Sequence, residues 1–315
     1  MSDIITVTLN PCVDFATSVP TIMPDVKLRC SEPQIDPGGG GINVSRAIKM
    51  LGGRSTALIA IGGQSGARLL ELLTEEGIAA VAFQGPGETR QSISVTDAHE
   101  GGQYRFVLPG PIWGENDLPR ALNALDQAVG TETLVVLSGS QPPGVAKNFP
   151  AIVAQHLAER NARIVVDTSG EALSNLVEVP HDPIEVLRMD DAEAEELAGK
   201  AHPERTDSAD FAQSLVDRGI AKIVIVARGP DGSVLASRDG RWHAVNPPVA
   251  VVSAVGAGDS FVGAFTHAYS TGQPVPECLR TAVAAAAAAV TTEATRLCDP
   301  AVVARLLPGT ELAAI

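Results

Sequence analysis

The chain has 315 residues, 45% of them hydrophobic and 19% charged, and its 23 basic against 37 acidic side chains leave a formal charge of −14. So acidic a chain argues against a general nucleic-acid binder or a protein held to membranes by charge. No uninterrupted apolar run reaches the roughly 18 residues of a membrane span, and MSDIITVTLNPCVDF has no basic region followed by an apolar one, so no signal peptide is read and a cytoplasmic protein is expected.

Along the chain, short β-branched runs alternate with segments of helical period. A strand is expected at 4–9 (IITVTL), then a polar/apolar alternation over 13–35, then the glycine cluster DPGGGGINVSRA at 36–47, whose end opens a helix over 42–52. A strand at 55–61 and a helix at 65–77 follow, and a second alternating segment spans 90–108, with Gly101-Gly102 suited to a hairpin. Further helices are expected at 115–129, 148–160, 191–199 and 207–219, and strands at 133–139, 163–169, 184–189 and 222–228. Beyond residue 255 the chain reads as nearly all helical, with alanine-rich helices near 259–271 and 276–291. Cys12, Cys30, Cys278 and Cys298 are scattered without a CxxC, which predicts reduced, buried thiols and no zinc site.

Most of these strands are apolar on both faces, as in a sheet covered by helices on each side. Strands alternating with crossover helices predict an α/β fold with a mostly parallel, doubly wound sheet. No Pro/Ser-rich linker divides the chain, so a single domain over 1–315 is expected. The alternating segments at about 13–35 and 90–108 predict a small second sheet, a lid over the strand ends whose far face could pair with a second subunit.

The chemistry gathers at three turns. In VGAGDSF (255–261), Gly256, Ala257 and Gly258 precede an apolar helix, which makes a cradle for an anion. Asp259 follows at once. A carboxylate beside bound phosphate makes sense if it takes a proton from an attacking hydroxyl while the amides stabilise the transferred phosphoryl group; a plain N-cap is the alternative. The glycine cluster, with Gly39, Gly40 and Gly41, leaves amides bare at another helix start, and Asn43 just inside can bond a sugar hydroxyl. It is neither a Walker A motif nor a dinucleotide fingerprint. Asp14, in NPCVD after the first strand, is placed as a partner for vicinal hydroxyls. Lys27 and Arg29, two apart, would share a face of an extended strand, and Arg90 and Arg105 lie in the other lid segment. Together they suit a substrate that carries its own phosphate.

NPxxD, GGGGINVSRA, RGPDG and GAGDSF, in this order over essentially the whole chain, resemble the ribokinase-like (PfkB-type) carbohydrate kinases. KLRC at 27–30, QYRFVLPG at 103–110, SGSQPPGV at 138–145, DTSGEAL at 167–173 and TRLC at 295–298 resemble most its 6-phosphofructokinase subgroup, the minor bacterial isozyme. The resemblance implies a Rossmann-like layer with a β-sheet lid, commonly a homodimer through that lid. It implies ATP with Mg²⁺, and leaves a monovalent cation open as a further cofactor. By matching position, Asp259 is the base and Gly256, Ala257 and Gly258 the anion hole; Asp14, Gly39, Gly40 and Asn43 bind the sugar, with Gly41 beside them and Ser140 in the SGS loop. Lys27 and Arg90 hold the substrate's phosphate, with Arg29 and Arg105 near them; the loop from Arg228 and Gly229 to Gly232 lies along ATP, and Glu193 helps place Mg²⁺.

Relatives acting on fructose 1-phosphate or tagatose 6-phosphate typically read GGKG where this chain reads GGGG, which favours fructose 6-phosphate, phosphorylated at its C1 hydroxyl in glycolysis. The family's magnesium motif departs here to RMDDAE: Arg188, Met189 and Asp190 replace Lys, Pro and Asn. This makes Arg188 a nucleotide contact and Asp190 either a further metal ligand or a helix cap. Ala227 and Ala254 replace the usual hydroxyl residues. Two readings follow from the resemblance: an ATP-dependent 6-phosphofructokinase, with a 1-phosphofructokinase or tagatose-6-phosphate kinase as its alternative, or a sugar-phosphate-binding regulator without useful turnover.

Overall fold

The computed structural model describes residues 3–293 and 295–315. Its strands are β1 (Ile4–Thr8), β2 (Cys12–Val19), β3 (Gln34–Gly38), β4 (Thr56–Ile61), β5 (Ala79–Gln84), β6 (Arg90–Asp97) and β7 (Gln103–Val107) in the first part of the chain. The rest are β8 (Leu134–Ser138), β9 (Arg163–Asp167), β10 (Ile184–Asp190), β11 (Ala221–Ala227), β12 (Ser233–Ser237), β13 (Gly240–Val245) and β14 (Glu311–Ala314). The helices are α1 (Gly40–Met50), α2 (Gly63–Glu75), α3 (Asp117–Ala128), α4 (Phe149–Ala158) and α5 (Gly170–Glu178). They continue with α6 (Asp191–Ala198), α7 (Arg205–Asp217), α8 (Ala257–Ser270), α9 (Val275–Ala289) and α10 (Pro300–Leu306).

Ten strands form the main sheet in the order β14-β13-β12-β11-β10-β9-β8-β1-β4-β5. It is parallel from β5 through to β11, and β12, β13 and β14 add antiparallel strands at one edge. Period-two patterning sends alternate residues to opposite faces. Ile5, Val7, Val135, Leu137, Val224 and Val226 face α3 to α7, packing with Leu125, Leu157, Leu176 and Leu215. Their neighbours Ile4, Leu134, Val136, Ile223 and Ile225 face α1, α8 and α9, packing with Ile48, Phe265 and Leu279. No described helix is long and apolar enough to cross a membrane.

The two alternating segments do build a second sheet, in the order β3-β2-β6-β7, with β2 and β6 parallel. It is fixed to the main body through Val13, Phe15 and Ile35, which pack on Leu69, Leu72 and Leu73 of α2. The expected alternation over 13–35 is broken, however. Residues 20–33 have no regular structure. Pro20, Pro24 and Pro33 withhold backbone donors there, and the segment is pinned instead where the Ser31 N–H donates to the Ser18 carbonyl at 2.9 Å.

Four strands escape the sequence pattern. β5 (AAVAFQ) is alanine-rich and becomes a strand by pairing with β4. The hairpin of β12 and β13 and the edge strand β14 extend the sheet; of these only β14 lies beyond residue 255, where the regular structure is otherwise helical, as expected. The thiols are all free, but Cys30 is exposed on the irregular segment rather than buried.

Candidate active site

The order of the main sheet reverses at β1, which has β4 on one side and β8 on the other. Such a reversal opens a crevice at the C-terminal strand ends. The glycine cluster lies in it. Gly39, at φ 116°, takes a backbone conformation that side chains strain. At Gly40 a Cβ would stand 2.6 Å from the Gly139 amide nitrogen and 2.7 Å from Ser138 Oγ, so α1 begins directly against the end of β8. Gly41 is buried behind it against Val7 and Thr8. This close approach carries Asn43, in the first turn of α1, into the crevice.

α8 begins there too. Gly256 is its N-cap, with φ 78°, and no side chain caps the helix. The positive end of α8, with the turn from Gly256 to Gly258, is therefore open to an anion. Asp259 in the first turn accepts a 2.9 Å hydrogen bond at Oδ2 from Asn43 Nδ2, which joins the two glycine turns across 216 positions of sequence. Burial pushes the Asp259 carboxyl up to about 6; the charge of Asp167 adds to the rise, while the Asn43 bond and Arg188 oppose it. The group is still ionised at neutral pH and is a stronger base than an ordinary aspartate.

On the small sheet, Asp14 Oδ1 accepts from Cys12 Sγ at 2.9 Å. A Cβ on Gly38 would stand 2.1 Å from Asp14 Oδ2, so the carboxylate lies across that glycine. Register sets Arg90 opposite Cys12, Ser92 opposite Asp14, and Arg105 opposite Ser94. Asp14, Arg90 and Arg105 therefore share a face. Burial raises the Asp14 carboxyl, and the Cys12 bond and the charges of Arg90, Arg105 and Arg46 hold it down. Arg90 Nε donates to the Asn10 carbonyl at 3.2 Å and Asn10 Nδ2 to Ser140 Oγ at 3.3 Å, which ties β6 to the loop after β8. Lys27 and Arg29 do not share a strand face as expected; both are exposed on the irregular segment between β2 and β3.

On the far side, Arg188 Nη1 donates to Asp167 Oδ1 at 3.0 Å and Ser138 Oγ to Asp167 Oδ2 at 3.1 Å. The Arg188 guanidinium lies 3.4–3.5 Å from where a Cβ on Gly258 would stand, beside the anion cradle. Asp190 is the N-cap of α6: the Glu193 N–H donates to Asp190 Oδ1 and the Asp190 N–H to Glu193 Oε2, both at 2.8 Å. The capping role that the sequence left open for Asp190 is thus present. Each carboxylate keeps one oxygen outside this box. Burial raises the Glu193 carboxyl, and the Asp190 charge adds to the rise against the Asp190 amide and Arg188. Two adjacent carboxylates fit a magnesium ion that takes its other ligands from nucleotide phosphates and water.

Arg228 is placed differently from its expected role as a nucleotide contact. Its guanidinium is occupied by Asp231 Oδ2 (3.0 Å), the carbonyls of His202 (3.0 Å) and Pro203 (3.1 Å), and Ser208 Oγ (2.5 Å). It anchors the loop that holds Gly229 to Gly232.

Residues 4–302 match the model of the pfkB family carbohydrate kinases. The chain belongs to this family. Among its relatives is the ATP-dependent 6-phosphofructokinase isozyme 2 of Escherichia coli (strain K12), 38% identical over 95% of this chain and 96% of the relative. The protein of the same description in Mycobacterium tuberculosis (strain ATCC 25618 / H37Rv) is 37% identical over 94% of this chain and 86% of the relative. The crystal structure of phosphofructokinase-2 from Escherichia coli in complex with fructose-6-phosphate superposes with a TM-score of 0.91, at 36% identity, over 98% of this chain and 99% of that one. The same protein in complex with potassium superposes at 0.92, at 36% identity over the same shares.

In this pfkB chain several crevice residues were not singled out from sequence. Gly38 belongs beneath Asp14, and Asp167 between Ser138 and Arg188. Asp167 is an acid just where a buried strand run ends, and that signal was readable in RIVVDTS; Asp14, expected at the end of the first strand, instead lies inside β2. Thr8 Oγ1, Asn10 Oδ1 and Arg188 Nε are buried without a hydrogen-bond partner among the described residues.

Proposed function

We propose that this pfkB carbohydrate kinase is an ATP-dependent 6-phosphofructokinase that transfers the γ-phosphoryl group of ATP to the C1 hydroxyl of fructose 6-phosphate. The observation that carries the reading is Asp259: a carboxylate raised to about 6, held by Asn43, in the open first turn of α8. Asp259 takes the proton of the C1 hydroxyl as the C1 oxygen bonds to the γ-phosphorus and the bond from that phosphorus to the β-phosphate bridging oxygen breaks. The turn Gly256 to Gly258 and the Arg188 guanidinium receive the charge of the transferring group. When bound, Mg²⁺ neutralises phosphate charge, and Glu193, with the free oxygen of Asp190, would hold it. A monovalent cation belongs to the same reading through the potassium complex of the relative.

The sugar lies between Asn43 and Asp14, and its own phosphate meets Arg90 and Arg105, with Lys27 and Arg29 brought in from the irregular segment. The small sheet acts as the lid of a single domain. Its β7 exposes Tyr104, Phe106 and Val107 at 47%, 54% and 59%, which supports a homodimer paired through this sheet. At Gly40 the 2.6 Å approach to Gly139 excludes the lysine typical of relatives that use fructose 1-phosphate or tagatose 6-phosphate, which favours fructose 6-phosphate. On the nucleotide side, Val251 and Val252 are exposed at 68% and 60% shortly before the cradle and suit a base ring.

Release of ADP, measured by a coupled assay across fructose 6-phosphate, fructose 1-phosphate, tagatose 6-phosphate and free fructose, tests the reading. Fructose 6-phosphate is expected to have the highest kcat/KM. Binding of sugar phosphate without turnover of any of them would replace the kinase by a regulator.

A further inference from the structure

Arg46 stands three positions after Asn43 on α1, on the same face of the helix. Its side chain is 11% exposed. Nε and Nη2 fork onto Glu76 Oε2 and Oε1, both at 2.8 Å, at the end of α2. Nη1 donates to Asn43 Oδ1 at 3.3 Å, to the Thr295 carbonyl at 3.3 Å and to the Pro37 carbonyl at 3.5 Å. Asp36 Oδ1 lies 3.8 Å from Nη2.

A guanidinium can only donate, and an amide can be turned end for end. With its oxygen held by Arg46, the Asn43 amide must present its NH₂ to Asp259, as it does at 2.9 Å. Turned the other way, two oxygens would face each other and Arg46 would meet a second donor. The end torsion of an asparagine is broad and two-fold, so only a partner such as Arg46 selects one orientation. The fork on Glu76 in turn fixes the guanidinium, and that ion pair lies outside the crevice.

We infer that Arg46 is a positioning residue for phosphoryl transfer, which holds the Asn43 amide toward the carboxylate of Asp259 from an anchor on Glu76. The inference rests on Asp259 being the base. The other groups facing Asp259 are Asp167 on β9, Arg188 on β10 and Asp14 on β2, and none of them touches Arg46 through a hydrogen bond or ion pair among the described residues. Arg46 also bears on Asp14 through its charge, which Arg46→Lys keeps, so the lysine variant isolates the path through Asn43. A donor bond to the ionised form of an acid lowers its pKa, so losing that bond part of the time raises it.

The test is the pH profile of kcat for native protein, Arg46→Met, Arg46→Lys, Asn43→Ala and the double variant Asn43→Ala/Arg46→Met. Arg46→Met is expected to move the acid limb upward by about one pH unit, a loss of about tenfold below the limb. Arg46→Lys, which keeps the charge but cannot fork onto Glu76 and reach Asn43 together, should move it the same way and serves if the Met variant does not fold. Once Asn43 is alanine, removing Arg46 should shift the limb no further, since contacting residues in one chain of bonds are not additive. An unshifted limb in both Arg46 variants, or the same shift with Asn43 already removed, overturns the positioning role. Asp259→Asn separates this failure from failure of the base itself: if that variant turns over normally, the base assignment falls, whatever Arg46 does.

Discussion

The carboxyl group of Asp259 ionises at about 6 in the folded chain against 3.8 for an unperturbed aspartate, so Asp259→Asn removes a charge that the fold carries at a cost. Between those two values the folded protein still holds a proton that the unfolded chain has released. Native stability therefore falls as pH rises through this window, and the full penalty is present at neutral pH. About two units at 1.36 kcal/mol each come to about 3 kcal/mol. Asparagine keeps the shape, stays neutral, and can accept the Asn43 bond through its carbonyl. The variant should be more stable by about 2–3 kcal/mol at neutral pH, roughly 3–6 °C in Tm, and the gap should close as pH falls below about 4. Its kcat should fall by roughly 10²–10⁴, with sugar-phosphate binding nearly intact. Urea unfolding across this pH range, beside ADP release, reads both effects. A variant less stable than native at neutral pH, or a gap that does not narrow with acid, refutes the account of the buried charge. Near-native kcat refutes the base.

Arg90→Ala and Lys27→Ala should each raise KM for fructose 6-phosphate and leave KM for ATP and the response to free fructose nearly unchanged; equal losses on both sugars would assign these residues to folding of the small sheet instead. Gly40→Ala puts a Cβ 2.6 Å from the Gly139 nitrogen and 2.7 Å from Ser138 carbon, both backbone atoms, so α1 must shift. About 1–3 kcal/mol of stability should be lost by overpacking, with kcat/KM down by about 10² for a displacement near 1 Å; unchanged unfolding and kinetics would show that the helix start yields freely. Asp190→Asn should keep the cap of α6, because asparagine caps as well as aspartate, so its unfolding midpoint should match native within error. If Asp190 also faces the metal, apparent ATP affinity should depend less steeply on free Mg²⁺ in this variant, and superimposable titrations would leave Asp190 with the cap alone.

The elements and the turns were legible in the chain because their causes are local. Period-two apolar runs, helical spacing and glycines at helix starts act over a few residues, and the strands at β1, β8, β9, β10 and β11 stand within about two residues of their expected bounds. Local pattern also put Asp259 after a bare helix start, whereas Asp14, read as lying after the first strand, stands inside β2. Edge strands such as β5 and β14 were silent because partner strands, not their own residues, made them extended.

What the chain alone could not decide is which long side chains arrive together. In sequence, Arg46, Arg90, Arg188 and Arg228 are the same chemical group on four different elements. The folded register turns Arg90 toward Asp14, sets Arg188 beside the cradle, buries Arg228 in loop carbonyls and locks Arg46 onto Glu76. The contact between Asn43 and Asp259 spans 216 positions and forms where α1 and α8 pack closely, with Ala47 and Val44 of α1 against Gly263 of α8. A carboxylate's burial, and with it the rise of Asp259 to about 6, is likewise a property of everything packed around it. Periodicity records what each segment does to itself; charge, reach and burial depend on neighbours that only the assembled sheet and its crevice bring into place.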